Sequence, residues 1–143
     1  MLPDSLSGDL CSLHEGVERA CLAVAMRIDI QGNKISHEFH RALMKSAASL
    51  NYEQVQAAMD GTPDDQVAPL VSKVIRPLYA AYAALKKARA VRQPLELDLP
   101  ERQIILDDNG KVKSVNFKDR LDAHKLIEEF MVLANVAAAE TLI

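Results

Sequence analysis

Two short turn sequences set the strongest limits on how this 143-residue chain folds. The first, Gln31-Gly32-Asn33, lies between an apolar stretch over 17–30 and a second extended stretch over 34–44. Glycine beside asparagine is typical of the tight turn that joins two antiparallel strands. The apolar residues that alternate onto one face of the first stretch are Leu22, Val24, Met26, Ile28 and Ile30. We therefore expect a β-hairpin here.

The second turn, Asp107-Asp108-Asn109-Gly110, contains the Asn-Gly pair that favours positive backbone φ angles. It predicts a second hairpin, between an extended stretch over 95–106 and a return strand over 111–117. Two adjacent carboxylates also suit acid–base chemistry, but acidic residues are common at such turns for backbone reasons alone, and we favour the turn. From about Lys118 to the end the pattern is helical.

The region between the hairpins is predicted to be helical. One helix begins at about Asn51 and ends at a glycine. Thr62-Pro63-Asp64-Asp65 combines a capping hydroxyl, a proline and two carboxylates, so we expect a second helix from there to about Val91. Pro69 and Pro77 lie inside it and predict a kink or a division into two helices.

The elements follow in the order ββααββα. The sequence thus predicts an α+β fold, with two β-hairpins packed against three or more helices in one domain over 1–143. The hydrophobic fraction of 49% and the charged fraction of 26% are ordinary for a folded domain and exclude a disordered chain.

The charge and the N-terminus exclude several classes of protein. The net charge of −3 gives no overall attraction to nucleic acid or to an anionic membrane. Asp4 and Asp9 stand where a secretory signal carries basic residues, and no apolar stretch is long enough to span a membrane. We therefore expect a cytoplasmic protein with no membrane partner, in which Cys11 and Cys21 are reduced thiols.

His37 and His40 are the first candidate metal ligands. The zinc-protease motif needs two histidines four residues apart on a helix, whereas these two are three apart on a predicted strand. Such residues point to opposite faces of a strand. We therefore expect no metal site at this pair.

The stretch from Gln66 to Gln93 has six basic residues and no acidic residue. The basic residues are Lys73, Arg76, Lys86, Lys87, Arg89 and Arg92. They suit contacts with phosphate groups and equally a solvated helix face, and the sequence does not decide between the two. Tyr79 and Tyr82, three residues apart, are expected to pack together in the core.

The last helix has two apolar flanks beside a narrow polar line. The flanks are Ile127, Phe130, Met131, Ala134 and Ala138, and Leu126, Leu133 and Ala137; the polar line is Arg120, His124, Glu128 and Asn135. A helix that is apolar on two flanks is mostly buried, so we expect its polar residues to have partners. For Glu128 the spacing favours a structural ion pair and leaves a functional role open.

Four segments occur in the order and at the separations found in a known family. They are MLPDSLSGDLCSL, SAASLNYEQVQ, LELDLPE and RLDAHKLIEEFMVLAN. On these motifs the whole chain resembles the RNB catalytic domain of the ribonuclease II and ribonuclease R family of exoribonucleases, and is most similar to bacterial ribonuclease R. The resemblance implies hydrolysis of single-stranded RNA from its 3′ end to nucleoside monophosphates.

The resemblance also implies that parts of the site lie elsewhere. The family holds Mg²⁺ with aspartates that lie upstream of the position of Met1, and an arginine near the scissile bond lies downstream of Ile143. We therefore expect residues 1–143 to be an interior segment of the domain. Alone, this segment is expected to bind no cofactor, to bind RNA weakly at best and to leave it uncleaved. Surface that the rest of the domain would cover favours self-association.

Two family positions carry over to this chain. The tyrosine of the L-x-Y-E-x-V pattern falls on Tyr52, which resembles a residue that holds the last nucleotides. The first glutamate of the I-E-E-F-M pattern falls on Glu128, which resembles a residue that contacts the terminal ribose and favours RNA over DNA. A phenylalanine that stacks on a base in ribonuclease II is matched here by Glu96, so we expect no such stacking.

A second hypothesis is an α+β protein-interaction module whose basic helix binds a partner protein. The two hypotheses differ at Glu128. The exoribonuclease hypothesis places Tyr52 and Glu128 toward one concavity, whereas the interaction module leaves Glu128 in a surface ion pair.

Overall fold

The computed structural model describes residues 2–92, 102–107, 109–117 and 120–143. Within these ranges two antiparallel hairpins and four α-helices form the α+β fold that the sequence predicts. The strands are β1 (Glu18–Ile28), β2 (Lys34–Lys45), β3 (Arg102–Leu106) and β4 (Val112–Phe117). The α-helices are α1 (Tyr52–Met59), α2 (Ala68–Leu70), α3 (Arg76–Arg92) and α4 (Asp122–Leu142), and two π-helical segments cover Ser5–Leu10 and Val71–Ile75. None of the helices in these ranges is both long and apolar enough to cross a membrane.

The ribbon of β1 and β2 changes its covered face along its length. The half-buried residues near the turn are Val24, Met26 and Ile28. Toward the other end the opposite face is covered, and Arg19 there binds the N-terminal segment. Leu22 is therefore 70% exposed, and Ile30, which lies in the turn beyond the end of β1, is 78% exposed. Neither shares the cover of the other residues predicted for that face. The right-handed twist of a two-stranded ribbon accounts for the change.

The turn between β1 and β2 rests directly on α3. Gly32 has a φ of 85°, and a Cβ atom placed there would lie 2.1 Å from the carbonyl oxygen of Ala84. Only glycine satisfies both the backbone angle and this close approach. The hairpin and the longest helix between the two hairpins are thereby packed backbone to backbone.

α1 begins where the sequence predicts. The side chain of Asn51 accepts a hydrogen bond from the backbone N–H of Gln54 at 2.8 Å, and the side chain of Gln54 accepts one from the backbone N–H of Asn51 at 3.0 Å. This capping box closes the first turn of α1 and fixes the position of Tyr52, its first residue.

The second helical region begins later than predicted. Thr62 does not cap it, because the Thr62 hydroxyl donates a 3.1 Å hydrogen bond to the carbonyl oxygen of Ala57 in α1. Asp64 instead accepts a 2.8 Å hydrogen bond from the backbone N–H of Val67, and the first α-helical residue is Ala68.

The predicted interruption of this helical region is confirmed. The π-helical turn Val71–Ile75 separates α2 from α3. Pro69 lies at the start of α2, and Pro77 is the second residue of α3. Pro69 thus stands in a first helical turn, where its missing N–H is tolerated, whereas Pro77 lies just after the π-helical turn, where the α-helical hydrogen-bond pattern is interrupted.

The turn between β3 and β4 has the predicted chemistry. The Asp107 carboxylate accepts hydrogen bonds from the backbone N–H groups of Asn109 and Lys111, both at 2.9 Å. Gly110 has a φ of 74°. Asp107 therefore serves the turn, while Asp108 lies outside the described residues.

The buried core has two parts, one on each half of the central helical region. The first packs α1 against the π-helical turn and contains Ala58, Val67 and Ile75. The second contains Tyr82, Leu85, Ala123, Leu126 and Ala137 of α3 and α4. The expectation that both flanks of α4 are buried is wrong, since Ile127 and Met131 are 41% and 61% exposed. Within the described ranges, α1 and α3 cover only one side of α4.

Candidate functional site

Tyr52 lies against the first turn of α4. Its ring stacks on the ring of His124, with the centroids 4.1 Å apart and the planes at 26°. The Tyr52 residue remains 41% exposed. Because the stack joins the first turns of two helices, regular structure holds the aromatic ring in place at the surface.

Gln56 fixes the start of α4 relative to α1 and α3. Its side-chain oxygen accepts hydrogen bonds from the backbone N–H of Ala123 at 3.2 Å and from the hydroxyl of Tyr79 at 3.4 Å. Leu121, the N-cap residue of α4, offers no side-chain cap, so a different helix supplies one. This role of Gln56 could not be predicted from the sequence, because Gln56 and Ala123 are 67 positions apart and no local pattern connects them.

Two core tyrosines support this arrangement from α3. The rings of Tyr79 and Tyr82 meet edge to face at 6.3 Å, which confirms the predicted pairing. Burial raises the pKa of Tyr79, and it raises the pKa of Tyr82 to about 12. The carboxylate of Asp122 acts in the same direction and accepts a 3.3 Å hydrogen bond from the hydroxyl of Tyr82.

Glu128 lies one helical turn beyond His124, on the same face of α4. Its side chain is 41% exposed and pairs with the guanidinium group of Arg120, while Nη1 of Arg89 lies 4.0 Å away. The structure thus stacks Tyr52 on His124 and places Glu128 one turn further along the same helix face. The ion pair that the spacing favours for Glu128 is present.

The buried carboxylate of α4 is Glu129, which the sequence analysis did not single out. Its side chain is 6% exposed, with Oε1 at 2.6 Å from Nη1 of Arg89 and Oε2 at 3.9 Å from Nη2 of Arg92. The sequence contained a signal for it, since Glu129 stands three residues after Leu126 and four before Leu133 on the flank that is buried.

The basic residues of the central helical region divide into two groups. Arg89 and Arg92 pair with the buried Glu129, and the Arg92 side chain is still 57% exposed. The second group is exposed and consists of Lys73, Arg76, Lys86 and Lys87. Lys86 lies over the ring of Tyr82, with its Nζ atom 5.6 Å from the centroid.

An apolar cleft of about 290 Å³ opens beside Tyr52. Its walls include Leu50, Val55, Leu78 and Ile127. Glu128 is not among the described residues that line it. Tyr52 and Glu128 therefore share a face of α4, but they do not share an enclosed pocket.

His37 and His40 lie on opposite faces of β2, as the strand spacing predicts. His37 contacts Thr141 through Nε2 at 2.8 Å and Lys34 through Nδ1 at 3.0 Å, whereas the side chain of His40 is 46% exposed. A hydrogen bond from Lys34 also holds the pKa of Glu140 below its usual range. In the described part of the chain, no group of three or more His, Cys, Asp or Glu side chains is arranged to hold a metal ion.

The position that matches the base-stacking phenylalanine has no structural description. Glu96 lies outside the described residues, as does most of the extended stretch predicted over 95–106.

The sequence matches the family described as RNB domain over residues 1–143. The chain belongs to the RNB domain family. The resemblance indicated by the four sequence motifs is thus confirmed.

The relatives of this RNB domain chain include ribonuclease R proteins. Ribonuclease R of Vibrio parahaemolyticus serotype O3:K6 is 40% identical over 141 residues, and that of Escherichia coli K12 is 38% identical over 141 residues. Each match covers 97% of the chain and 17% of the relative, so the chain spans about a sixth of their length.

Solved structures of RNase R have the same fold. The apo form of Mycoplasma genitalium RNase R and its complex with ribose methylated single-stranded RNA each match with a TM-score of 0.90 at 25% identity. Each match covers 99% of this chain and 22% of the solved chain. The two hairpins and four helices therefore have the arrangement of part of RNase R.

Proposed function

We propose that this chain forms part of the catalytic domain of a cytoplasmic 3′-to-5′ exoribonuclease, which hydrolyses single-stranded RNA to nucleoside monophosphates. The observation that carries the proposal is that Tyr52 stacks on His124, while Glu128 stands one turn further along the same face of α4. The RNB domain match and the ribonuclease R relatives support the activity. Mycoplasma genitalium RNase R structures with single-stranded and double-stranded RNA support RNA as the substrate. Free thiols at both cysteines agree with a reducing compartment.

Tyr52 is proposed to hold one of the last nucleotides. One side of its ring is supported by His124, and the residue is still 41% exposed. Stacking of a base on an aromatic side chain contributes about 1–3 kcal/mol per base. A ring that is already fixed in position loses little conformational freedom when a base binds.

Glu128 is proposed to accept a hydrogen bond from the 2′-hydroxyl of the terminal ribose. A carboxylate is a strong acceptor, and the 2′-hydroxyl distinguishes RNA from DNA. Glu128 must first release Arg120, but both side chains of this pair are more than 40% exposed. Such surface pairs contribute only about 0–1 kcal/mol, so the exchange of partners costs little.

Mg²⁺ is proposed to be held by aspartates of the domain that lie outside these 143 residues. The described residues do not fit a magnesium site, because no group of three or more potential ligands among them is suitably arranged. No step of the hydrolysis is therefore assigned to this chain, and the isolated chain is expected to leave RNA intact.

Two assays test the proposal. In the first, the purified chain is incubated with Mg²⁺ and a 3′-labelled single-stranded RNA, and we expect no release of labelled monomer above a blank. In the second, the chain replaces the matching segment of Vibrio parahaemolyticus ribonuclease R. We expect this hybrid to fold and to release monomers from RNA. A folded hybrid with no RNA binding and no hydrolysis would contradict the proposal.

Variants of the hybrid test the two residues. Glu128→Gln should weaken binding of RNA by about fivefold and leave binding of the corresponding DNA unchanged, because a neutral amide is a weaker acceptor. Tyr52→Ala should weaken binding of both, whereas Tyr52→Phe keeps the stack and most of the affinity. Glu53→Gln, an exposed carboxylate in α1, is the matched control and should change neither.

The second candidate function is a protein-interaction module with a basic helix. The surface ion pair of Glu128 is the feature that this hypothesis expects, and four exposed cations remain in the central helical region. The assignment of Arg89 and Arg92 to Glu129 reduces the free basic surface. If Tyr52→Ala and Glu128→Gln left RNA binding by the hybrid unchanged, the first proposal would lose its support and this candidate would be favoured.

Self-association of the isolated chain is proposed through the open end of the β1–β2 ribbon. Leu22 and Leu43 are 70% and 67% exposed and lie close together, since Leu22 pairs with Arg41 and Leu43 pairs with Ala20. Sedimentation should show dimers or larger species that Leu22→Lys reduces. A monomer at high concentration would argue against this contact.

A further inference from the structure

The two ring nitrogens of the half-buried His124 are buried without hydrogen bonds. Neither Nδ1 nor Nε2 of its ring has a partner among the described residues, and both atoms are inaccessible to solvent. A buried polar atom without a partner costs the folded state free energy that an apolar ring of similar shape would not cost. If the only role of His124 were to support Tyr52 by stacking, phenylalanine would serve better.

One face of this ring is covered by Tyr52. Glu128 stands four residues after His124 in α4, on the same helix face. It pairs with Arg120, which lies two residues before the helix begins. The ion pair thus joins a residue on the N-terminal side of His124 to one a helical turn beyond it.

The Arg120–Glu128 ion pair opens more easily than the stack of Tyr52 on His124. Its two side chains are 44% and 41% exposed, so water can replace each partner at small cost. The Tyr52 stack, in contrast, is fixed by the capping box of α1 and by the cap that Gln56 provides to α4.

We infer that His124 is a further RNA-binding residue, in which one ring nitrogen forms a hydrogen bond with a hydroxyl group of the 3′-terminal ribose once the Arg120–Glu128 pair opens. This inference rests on the proposed function, because the same opening frees Glu128 for the sugar. A neutral imidazole has one donor and one acceptor, and a ribose hydroxyl can serve either group. A ring nitrogen that has no partner among the described residues thus gains one in the complex.

The inference predicts opposite effects of His124→Phe on stability and on binding. In urea unfolding, the variant should be at least as stable as the wild-type chain, because phenylalanine keeps the stack and removes two unsatisfied atoms. Its affinity for a short single-stranded oligoadenylate, measured by fluorescence anisotropy, should fall about five- to tenfold through the loss of one hydrogen bond. His40→Phe, the same change at an exposed position of β2, is the matched control and should leave the affinity unchanged.

An NMR titration of the wild-type chain with RNA provides a second test of the inference. The ¹⁵N resonances of the His124 ring should shift on addition of the RNA, and should shift less with the same oligonucleotide that carries a 2′-deoxy terminal sugar. Unchanged resonances on binding, or a His124→Phe variant that is less stable or that binds RNA as tightly as the wild type, would overturn the inference.

The outcomes separate this inference from the proposed function. If Tyr52→Ala and Glu128→Gln weaken RNA binding while His124→Phe does not, the proposed function stands and the role of His124 is rejected. If the wild-type chain and the hybrid both fail to bind RNA, both are rejected.

Discussion

Replacement of Gly32 by alanine should separate the β1–β2 turn from α3. The φ of 85° alone costs a residue with a Cβ atom about 1–2 kcal/mol. The new Cβ would also lie 2.1 Å from the carbonyl oxygen and 2.5 Å from the carbonyl carbon of Ala84, and neither is a side-chain atom that can rotate away. Overpacking of this kind costs about 1–3 kcal/mol more. We therefore expect a total loss of about 2–5 kcal/mol in the free energy of unfolding.

Urea denaturation followed by far-ultraviolet circular dichroism measures this loss, and Gly110→Ala is the matched control. Gly110 also ends a hairpin turn with a positive φ, of 74°, but a Cβ placed there meets nothing within 4 Å. Its substitution should cost only the backbone term of about 1–2 kcal/mol. Equal losses for the two variants would refute the argument that the hairpin rests on α3 through Gly32.

Three further predictions concern charged and titrating groups. Because the pKa of Tyr82 is about 12 in the folded chain and about 10 in an unfolded one, its contribution to stability is complete below pH 10 and is lost as the pH rises to 12. Urea unfolding between pH 10 and 12 should show a falling free energy of unfolding, and the fall should be smaller in Tyr82→Phe. An equal pH dependence in the wild type and in Tyr82→Phe would contradict the assignment of the raised pKa to Tyr82. Glu129→Gln should lower the free energy of unfolding by about 2–3 kcal/mol, less than for a fully buried pair because the Arg89 side chain is 24% exposed. The exposed control Glu53→Gln should cost about 0.5 kcal/mol, and an equally small loss for Glu129→Gln would argue against a stabilising role of the Glu129–Arg89 pair. Lys34→Met should raise the pKa of Glu140 toward its ordinary value in an NMR titration, and an unchanged pKa would exclude the Lys34 contact as its cause.

Much of the local structure could be predicted because its causes are local. The two turns follow from glycines with positive φ angles, Gly32 and Gly110, and the interruption near Pro77 follows from its missing N–H. Thr62 shows the limit of such reasoning. The sequence pattern predicted it as the cap of the next helix, whereas its hydroxyl binds the carbonyl oxygen of Ala57 in the preceding helix.

The candidate site depended more on tertiary contacts than on pattern. The resemblance pointed to Tyr52 and Glu128, but no spacing rule related a residue of α1 to the polar line of α4. Periodicity identified a helix with apolar flanks, yet it could not show which flank α1 and α3 cover. For that reason the polar line of α4 pointed to Glu128, whereas the carboxylate that is buried in the structure belongs to its neighbour Glu129.

The π-helical turn at Val71–Ile75 changes the direction in which the side chains on its two sides point. It adds a residue to a helical turn, which rotates the side chains beyond it by about 100° relative to an uninterrupted α-helix. Val71 and Ile75 can therefore face α1, while Tyr82 of α3 reaches Asp122 in α4. Deletion of a single residue from this segment would rotate α3 relative to α2, so that either the residues that face α1 or those that face α4 would turn toward solvent. Changes in chain length should thus be tolerated far less here than in the connection over 61–66.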